Sequence, residues 1–125
     1  MTYKVTIPMK LPSLNDYVKA CRTNVYVANK FKQDLEGDIA VFLSGLPKFT
    51  KPITIHFHWV EQNRKRDIDN VAYAKKHILD AMVKMGCLKD DNRNCVAAFT
   101  DTFEFPKPKE KKEARVDLEI EEVKE

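Results

Sequence analysis

The segment Ile53–Glu61, ITIHFHWVE, constrains the fold more than any other part of the chain. Pro52 sets it off from the preceding residues. In an extended chain Ile53, Ile55, Phe57 and Trp59 share one side, and Thr54, His56, His58 and Val60 the other. β-Branched and aromatic residues at this density favour a strand. Four bulky side chains on one face then require a second apolar layer.

Two helical patterns supply that layer. From Asn29 or Lys30, Phe31, Leu35, Ile39, Phe42 and Leu43 recur at spacings of three and four until Gly45 and Pro47. From Asn70, Val71, Ala74, Ile78, Ala81 or Met82, and Met85 form another stripe that Gly86 ends. Residues 2–9 alternate as a first strand, closed by Pro8 and Pro12, and LPSLND opens a loop. Tyr17–Val27 is ambiguous, with a short strand possible at Asn24–Ala28. Cys95–Phe105 and Ala114–Val123 read as two further strands, and the intervening PKPKEKKE as a hairpin loop. The expectation is one α+β domain over residues 1–125, in the order β-α-β-α-β-β. It has a mixed sheet and helices mainly on one face.

With 125 residues the chain accommodates one modest core. No apolar run approaches the ~18 residues of a membrane span, and MTYKVTIPMK lacks the apolar stretch of a signal peptide. A cytoplasmic protein is expected. Cys21, Cys87 and Cys95 are odd in number and show no C-x-x-C spacing, which points to free thiols. The 22 Lys and Arg exceed the 19 Asp and Glu by only three. Local clusters, Arg64-Lys65-Arg66 and Lys107 to Lys112, still offer phosphate contacts that the total conceals.

Arg64 to Asn70, RKRDIDN, sets three cations directly before Asp67 and Asp69. At a spacing of two, both carboxylates point the same way from an extended segment while Ile68 turns inward. Asp69 or Asn70 also suits a helix N-cap, so a purely structural role is available. Asp90 and Asp91 follow the same helix. They reach Asp67 and Asp69 only if the chain after Gly86 doubles back. Carboxylates gathered in that way repel one another unless a cation intervenes. An all-oxygen set without His or Cys suits Mg²⁺, with Mn²⁺ possible. Such an ion polarises a phosphoryl oxygen and activates water, while the neighbouring cations hold flanking phosphates. RKRDIDN then reads as a phosphodiester-cleaving loop.

A further cation belongs near the charge that develops in such a reaction. Residues 69, 73, 76 and 80 line one helix face, which favours Lys76. Lys75 aligns instead with Val71 and Leu79. Lys76 also suits a surface pair with Asp80. His56 and His58 share a strand face, but no Asp, Glu or Cys in the strand completes a metal set. His77 is expected to be exposed, and Trp59 to be core.

Arg66-Asp67-Ile68-Asp69-Asn70, Ile78-Leu79-Asp80-Ala81-Met82 and Gly86-Cys87-Leu88-Lys89-Asp90-Asp91 resemble the RusA family of Holliday junction resolvases, small endodeoxyribonucleases of phages and prophages. Leu11-Pro12-Ser13-Leu14-Asn15 is similar to that family's Pro-Ser-x-Asn element. The resemblance covers nearly the whole chain. It implies a Mg²⁺-dependent homodimer that cuts paired strands of a DNA four-way junction. Its metal-binding aspartates would fall on Asp67, Asp69 and Asp91, with Asp90 beside them. Its helix lysine follows the Asp-Asn pair by three residues, where this chain has Tyr73. Counting back four from Asp80 gives Lys76. DNA would be contacted by Ser13, Asn15, Arg64, Lys65, Arg66 and Asn70. Two other readings compete. One is a non-catalytic nucleic-acid-binding module whose acidic residues are structural. The other is a Mg²⁺-dependent enzyme acting on a small phosphate ester, which the basic loop disfavours because such a substrate needs no extended phosphate track.

Overall fold

A computed structural model describes residues 2–123. The elements are β1 (Thr2–Ile7), α1 (Leu14–Thr23), α2 (Val25–Leu43), β2 (Ile53–Val60), α3 (Ile68–Ala72), α4 (Lys75–Met85), β3 (Val96–Glu104) and β4 (Arg115–Glu122). α3 and α4 form one helical run, because Tyr73 and Ala74 between them keep right-handed helical backbone. The run is tightened there. The amides of Ala74, Lys76 and His77 bond three residues back, to Val71, Tyr73 and Ala74.

The four strands make one mixed sheet in the order β1-β4-β2-β3. β4 is antiparallel to both β1 and β2, and β3 is parallel to β2. A parallel neighbour requires a long crossover, and the α3–α4 run provides it. β2, the most apolar strand, takes a central position with both edges paired. β3, with Ala97, Ala98, Thr100 and Thr102 exposed, forms an edge. The expected hairpin between the last two strands is corrected here. β2 lies between β3 and β4, so residues 105–114 pass the end of β2 instead of turning tightly.

The core lies between one sheet face and the helices. Ile53, Ile55, Phe57 and Trp59 of β2 join Val116, Leu118 and Ile120 of β4, and Leu35, Ile39, Leu43, Val71, Ala74, Ile78 and Met82 close over them. Phe42 and Met85, expected in the helix stripes, are substantially exposed. The opposite sheet face carries polar side chains, with His56 opposite Glu119 and His58 opposite Asp117.

Two local expectations fail for one reason, capping. LPSLND is not all loop. Ser13 and Asp16 form a reciprocal capping box that starts α1 at Leu14. Asn24 then accepts a bond from the Val27 amide at 2.8 Å, and α2 begins at Val25. Val25, Tyr26 and Val27, which suggest a strand, are exposed helical residues. Gly86 ends α4 as expected, at φ 84°. Its amide bonds back to Val83 and that of Cys87 to Met82, the pattern of a left-handed helix stop.

Candidate functional site

The loop after β2 is built around a buried ion pair. Glu61 is 5% exposed. Arg66 donates to it in a fork, Nε to Oε1 and Nη2 to Oε2, both at 2.8 Å. Its Nη1 donates to the Leu11 carbonyl, also at 2.8 Å. Arg66 therefore ties the loop of residues 61–66 to the segment leading into α1. It places Ser13–Asp16 beside Arg64–Asn70. Its guanidinium is engaged inside the protein and not presented to a phosphate. Arg64 and Lys65 are exposed. Arg64 lies over the Phe105 ring at 5.4 Å, and among the described residues neither forms an ion pair.

The carboxylates follow directly. Asp67 is the residue that starts α3, and its carbonyl accepts from the Val71 amide. Its side chain makes no capping bond, which leaves the carboxylate open. Asp69 stands in the first turn, exposed, and its side chain has no hydrogen-bond or ion-pair partner among the described residues. Ile68 between them does not turn inward. It is 53% exposed, because helical backbone at this point swings it to the surface.

Asp91 returns to the helix, as the doubling-back reading requires, and meets it at Lys76. The Lys76 ammonium lies 2.9 Å from Asp91 and 3.1 Å from Asp80. The hydrogen bonds that Lys76 donates to Asp91 and then to Asp80 raise its pKa, and the same contact holds Asp91 below the usual carboxylate range. Asp80 continues the chain of charges to Lys32 at 3.6 Å, and Lys32 to the buried Glu36 at 3.9 Å, so α2, α4 and the loop of residues 87–95 share one network. Asp90 serves that loop's own turn. It accepts from the Asp91 amide at 2.7 Å and from Asn92 Nδ2 at 3.2 Å.

The structure thus brings Asp91 to Lys76 and Asp80 and leaves Asp67 and Asp69 as a separate open pair. Among the described residues, no group of three or more His, Cys, Asp or Glu side chains is disposed to hold a metal ion. The expected gathering of Asp67, Asp69, Asp90 and Asp91 is not present. Lys76 supplies the counter-charge that Asp91 needs, and Asp90 satisfies its turn. The open pair by itself still fits Mg²⁺ in donor chemistry. That ion is commonly held by one or two carboxylates plus substrate phosphate, with water completing its shell.

The remaining expected contacts divide. Asn15 is exposed on α1 and Asn70 half-buried on α3. Ser13 is buried, and its hydroxyl accepts from the Asp16 amide. Lys75 points under the sheet edge to Asp101, which also accepts from Trp59 Nε1 at 2.8 Å, and its ammonium lies 4.1 Å from the Phe99 ring centre. The choice between the two lysines therefore falls to geometry. Lys75 is built into the fold, and Lys76 is on the surface beside the acids. His77 corrects another expectation. It is 2% exposed, packed against Tyr17 and Tyr73, and among the described residues neither ring nitrogen has a partner. Burial lowers its pKa. His56 and His58 face solvent and bond to Thr100, Thr102 and Glu104 on β3.

Sequence spacing does not show Glu61, Asp101 or Lys32 as the partners that position these side chains, whereas the i,i+4 spacing of Lys76 and Asp80 does show theirs. Among the described residues, no helix is long and apolar enough to cross a membrane. Compared with known proteins, the chain matches no family profile and no curated protein.

Proposed function

We propose that the protein is a Mg²⁺-dependent, structure-selective endodeoxyribonuclease that hydrolyses paired strands of a DNA four-way junction as a RusA-like homodimer. The observation that carries this reading is the pair Asp67 and Asp69, exposed and unpartnered at the head of α3, directly after exposed Arg64 and Lys65. Two exposed carboxylates near two exposed cations suit a metal-bridged phosphodiester. Bound Mg²⁺ would polarise the scissile phosphoryl group and lower the pKa of the attacking water.

The chain's own residues supply the rest. Asp67 and Asp69 would hold the ion, and Arg64 and Lys65 the flanking phosphates. Arg66 positions the loop through Glu61. Lys76 stays charged through Asp91 and Asp80 and answers negative charge that develops in the reaction. A four-way junction has two-fold symmetry, and a symmetric dimer would present two equivalent sites to it.

The test is incubation with a synthetic four-way junction, with Mg²⁺, with Mn²⁺ and with chelator, beside linear duplex of the same sequence. Metal-dependent, symmetric nicking of the junction is expected. The internal pairing of Asp91 with Lys76 and of Arg66 with Glu61 favours a second reading, a non-catalytic nucleic-acid-binding module. Junction binding with no cleavage in either metal would select it.

A further inference from the structure

A wide cleft in the protein lies away from Asp67 and Asp69. It has a volume of about 720 Å³, and it opens between the segment before β2, the C-terminal end of α4 and the start of β3. Lys48, Lys51 and Lys89 line it, and no Asp or Glu does. All three lysines are exposed, and among the described residues none forms an ion pair. Asp90, next in sequence to Lys89, has both oxygens engaged by its own turn. Phe49 and Leu88 make an apolar floor, while Thr50 and Asn94 add side chains with hydrogen-bonding capacity at the wall.

We infer that this cleft is a second phosphate-binding surface, which takes the sugar-phosphate backbone of a DNA arm flanking the cleavage position. Three lysines that line one cleft and have no ion-pair partner among the described residues repel one another, and a polyanion relieves that repulsion. Lysines are point charges on flexible stems, suited to a continuous backbone and not to a single fixed anion. By contrast, one cavity on the outer sheet face is lined by Glu119 and Glu121 and by no Lys or Arg, which disfavours a polyanion there. The α3–α4 run, from Ile68 to Met85, separates the lysine cleft from the Asp67 end. At ~1.5 Å per residue that is about 27 Å, or roughly eight steps along a DNA strand. The inference rests on the DNA-directed reading and extends its footprint beyond Arg64 and Lys65.

The experiment uses the full chain and a fluorescent four-way junction in chelator, so that binding is read without cleavage, over a series of KCl concentrations. The triple variant Lys48→Ala/Lys51→Ala/Lys89→Ala is expected to flatten the plot of log affinity against log salt by up to about 2.7 units, roughly 0.9 per phosphate contact. Lys→Arg at the same three positions is expected to restore the slope. An unchanged slope in the folded alanine variant overturns the inference. So does the absence of salt-sensitive DNA binding in the parent protein, which also removes the DNA-directed reading. Tight, saturable uptake of inorganic phosphate at the cleft would overturn it in favour of a free anion. Cleavage of the junction with an unchanged slope would sink the lysine cleft alone and leave the nuclease reading standing.

Discussion

The Lys76 ammonium sits 2.9 Å from the Asp91 carboxylate, although the two stand 15 positions apart in the chain with most of α4 between them. This contact shows that the loop after Gly86 folds back along the helix. It also shows what meets Asp91 there, a lysine and not the Asp67–Asp69 pair. Lys76→Ala is expected to slow junction cleavage far more than it weakens junction binding, with little loss of stability because the pair is partly solvated. Single-turnover rates beside chelator binding curves check this. Equal losses in both would assign Lys76 to phosphate binding.

Lys75 should behave differently. It is half-buried, with Asp101 and Phe99 as partners, and its loss leaves Asp101 bonded to Trp59 alone. Lys75→Ala is expected to destabilise the fold by roughly 1–3 kcal/mol, read as a lower urea midpoint. A selective loss of cleavage with unchanged stability would reverse the assignment of the two lysines.

Arg66 and its two neighbours make a second contrast. Arg66→Ala removes both bonds to the buried Glu61 and the bond to Leu11, and is expected to cost about 2–4 kcal/mol. Arg66→Lys cannot restore the fork. Arg64→Ala and Lys65→Ala should leave stability alone and flatten the salt dependence of DNA binding by ~0.9 per contact. If Arg66→Lys instead proves as stable as the parent, the pair does not anchor the loop.

Asp69→Asn removes one of two open carboxylates without leaving a partner unsatisfied. Cleavage should fall to background while junction binding holds or strengthens, since negative charge facing phosphate is removed. Loss of binding and cleavage together, with a lower melting temperature, would give Asp69 a folding role.

His77 predicts a pH dependence of stability. Burial lowers its pKa, against opposing contributions from Asp80 and Glu36 and alongside those from Lys32 and Lys76. The unfolded chain therefore takes up a proton at a pH where the folded chain does not. Stability should fall as pH drops through the ordinary imidazole value of ~6.5, and level off below the folded value. His77→Phe keeps a ring against Tyr17 and Tyr73 and removes two unpaired nitrogens. It should abolish this slope and raise stability by about 1 kcal/mol. The same slope in the variant, from denaturant titrations between pH 5 and 8, would assign it to another group.

Much of the fold was legible locally. Alternation along Ile53–Val60 marks a strand buried on one face whatever its neighbours, because successive side chains must oppose each other. The Ile78–Met82 stripe and Gly86 likewise fix a helix and its end through spacing and backbone freedom alone. RKRDIDN announced open carboxylates beside cations, because those residues adjoin in sequence. The capping residues Ser13 and Asn24 are in the sequence too, but the NVYV run that Asn24 begins is strand-like in composition, and its place at the head of α2 is settled by the fold.

Other features depended on contacts between residues far apart in the chain. Sequence spacing does not encode which strand lies beside β2, so the place of β4 between β1 and β2 waited on the packed sheet. Arg66 was an exposed cation by composition until Glu61 was found beneath it. His77 was a polar helix residue until Tyr17 and Tyr73 enclosed it. Asp91 and the three lysines of the cleft acquired their neighbours only when α4 laid its two ends against different loops. Charge in a sequence gives the sign of each group. Its partner, and hence whether it remains free to meet a ligand, is set by the tertiary fold.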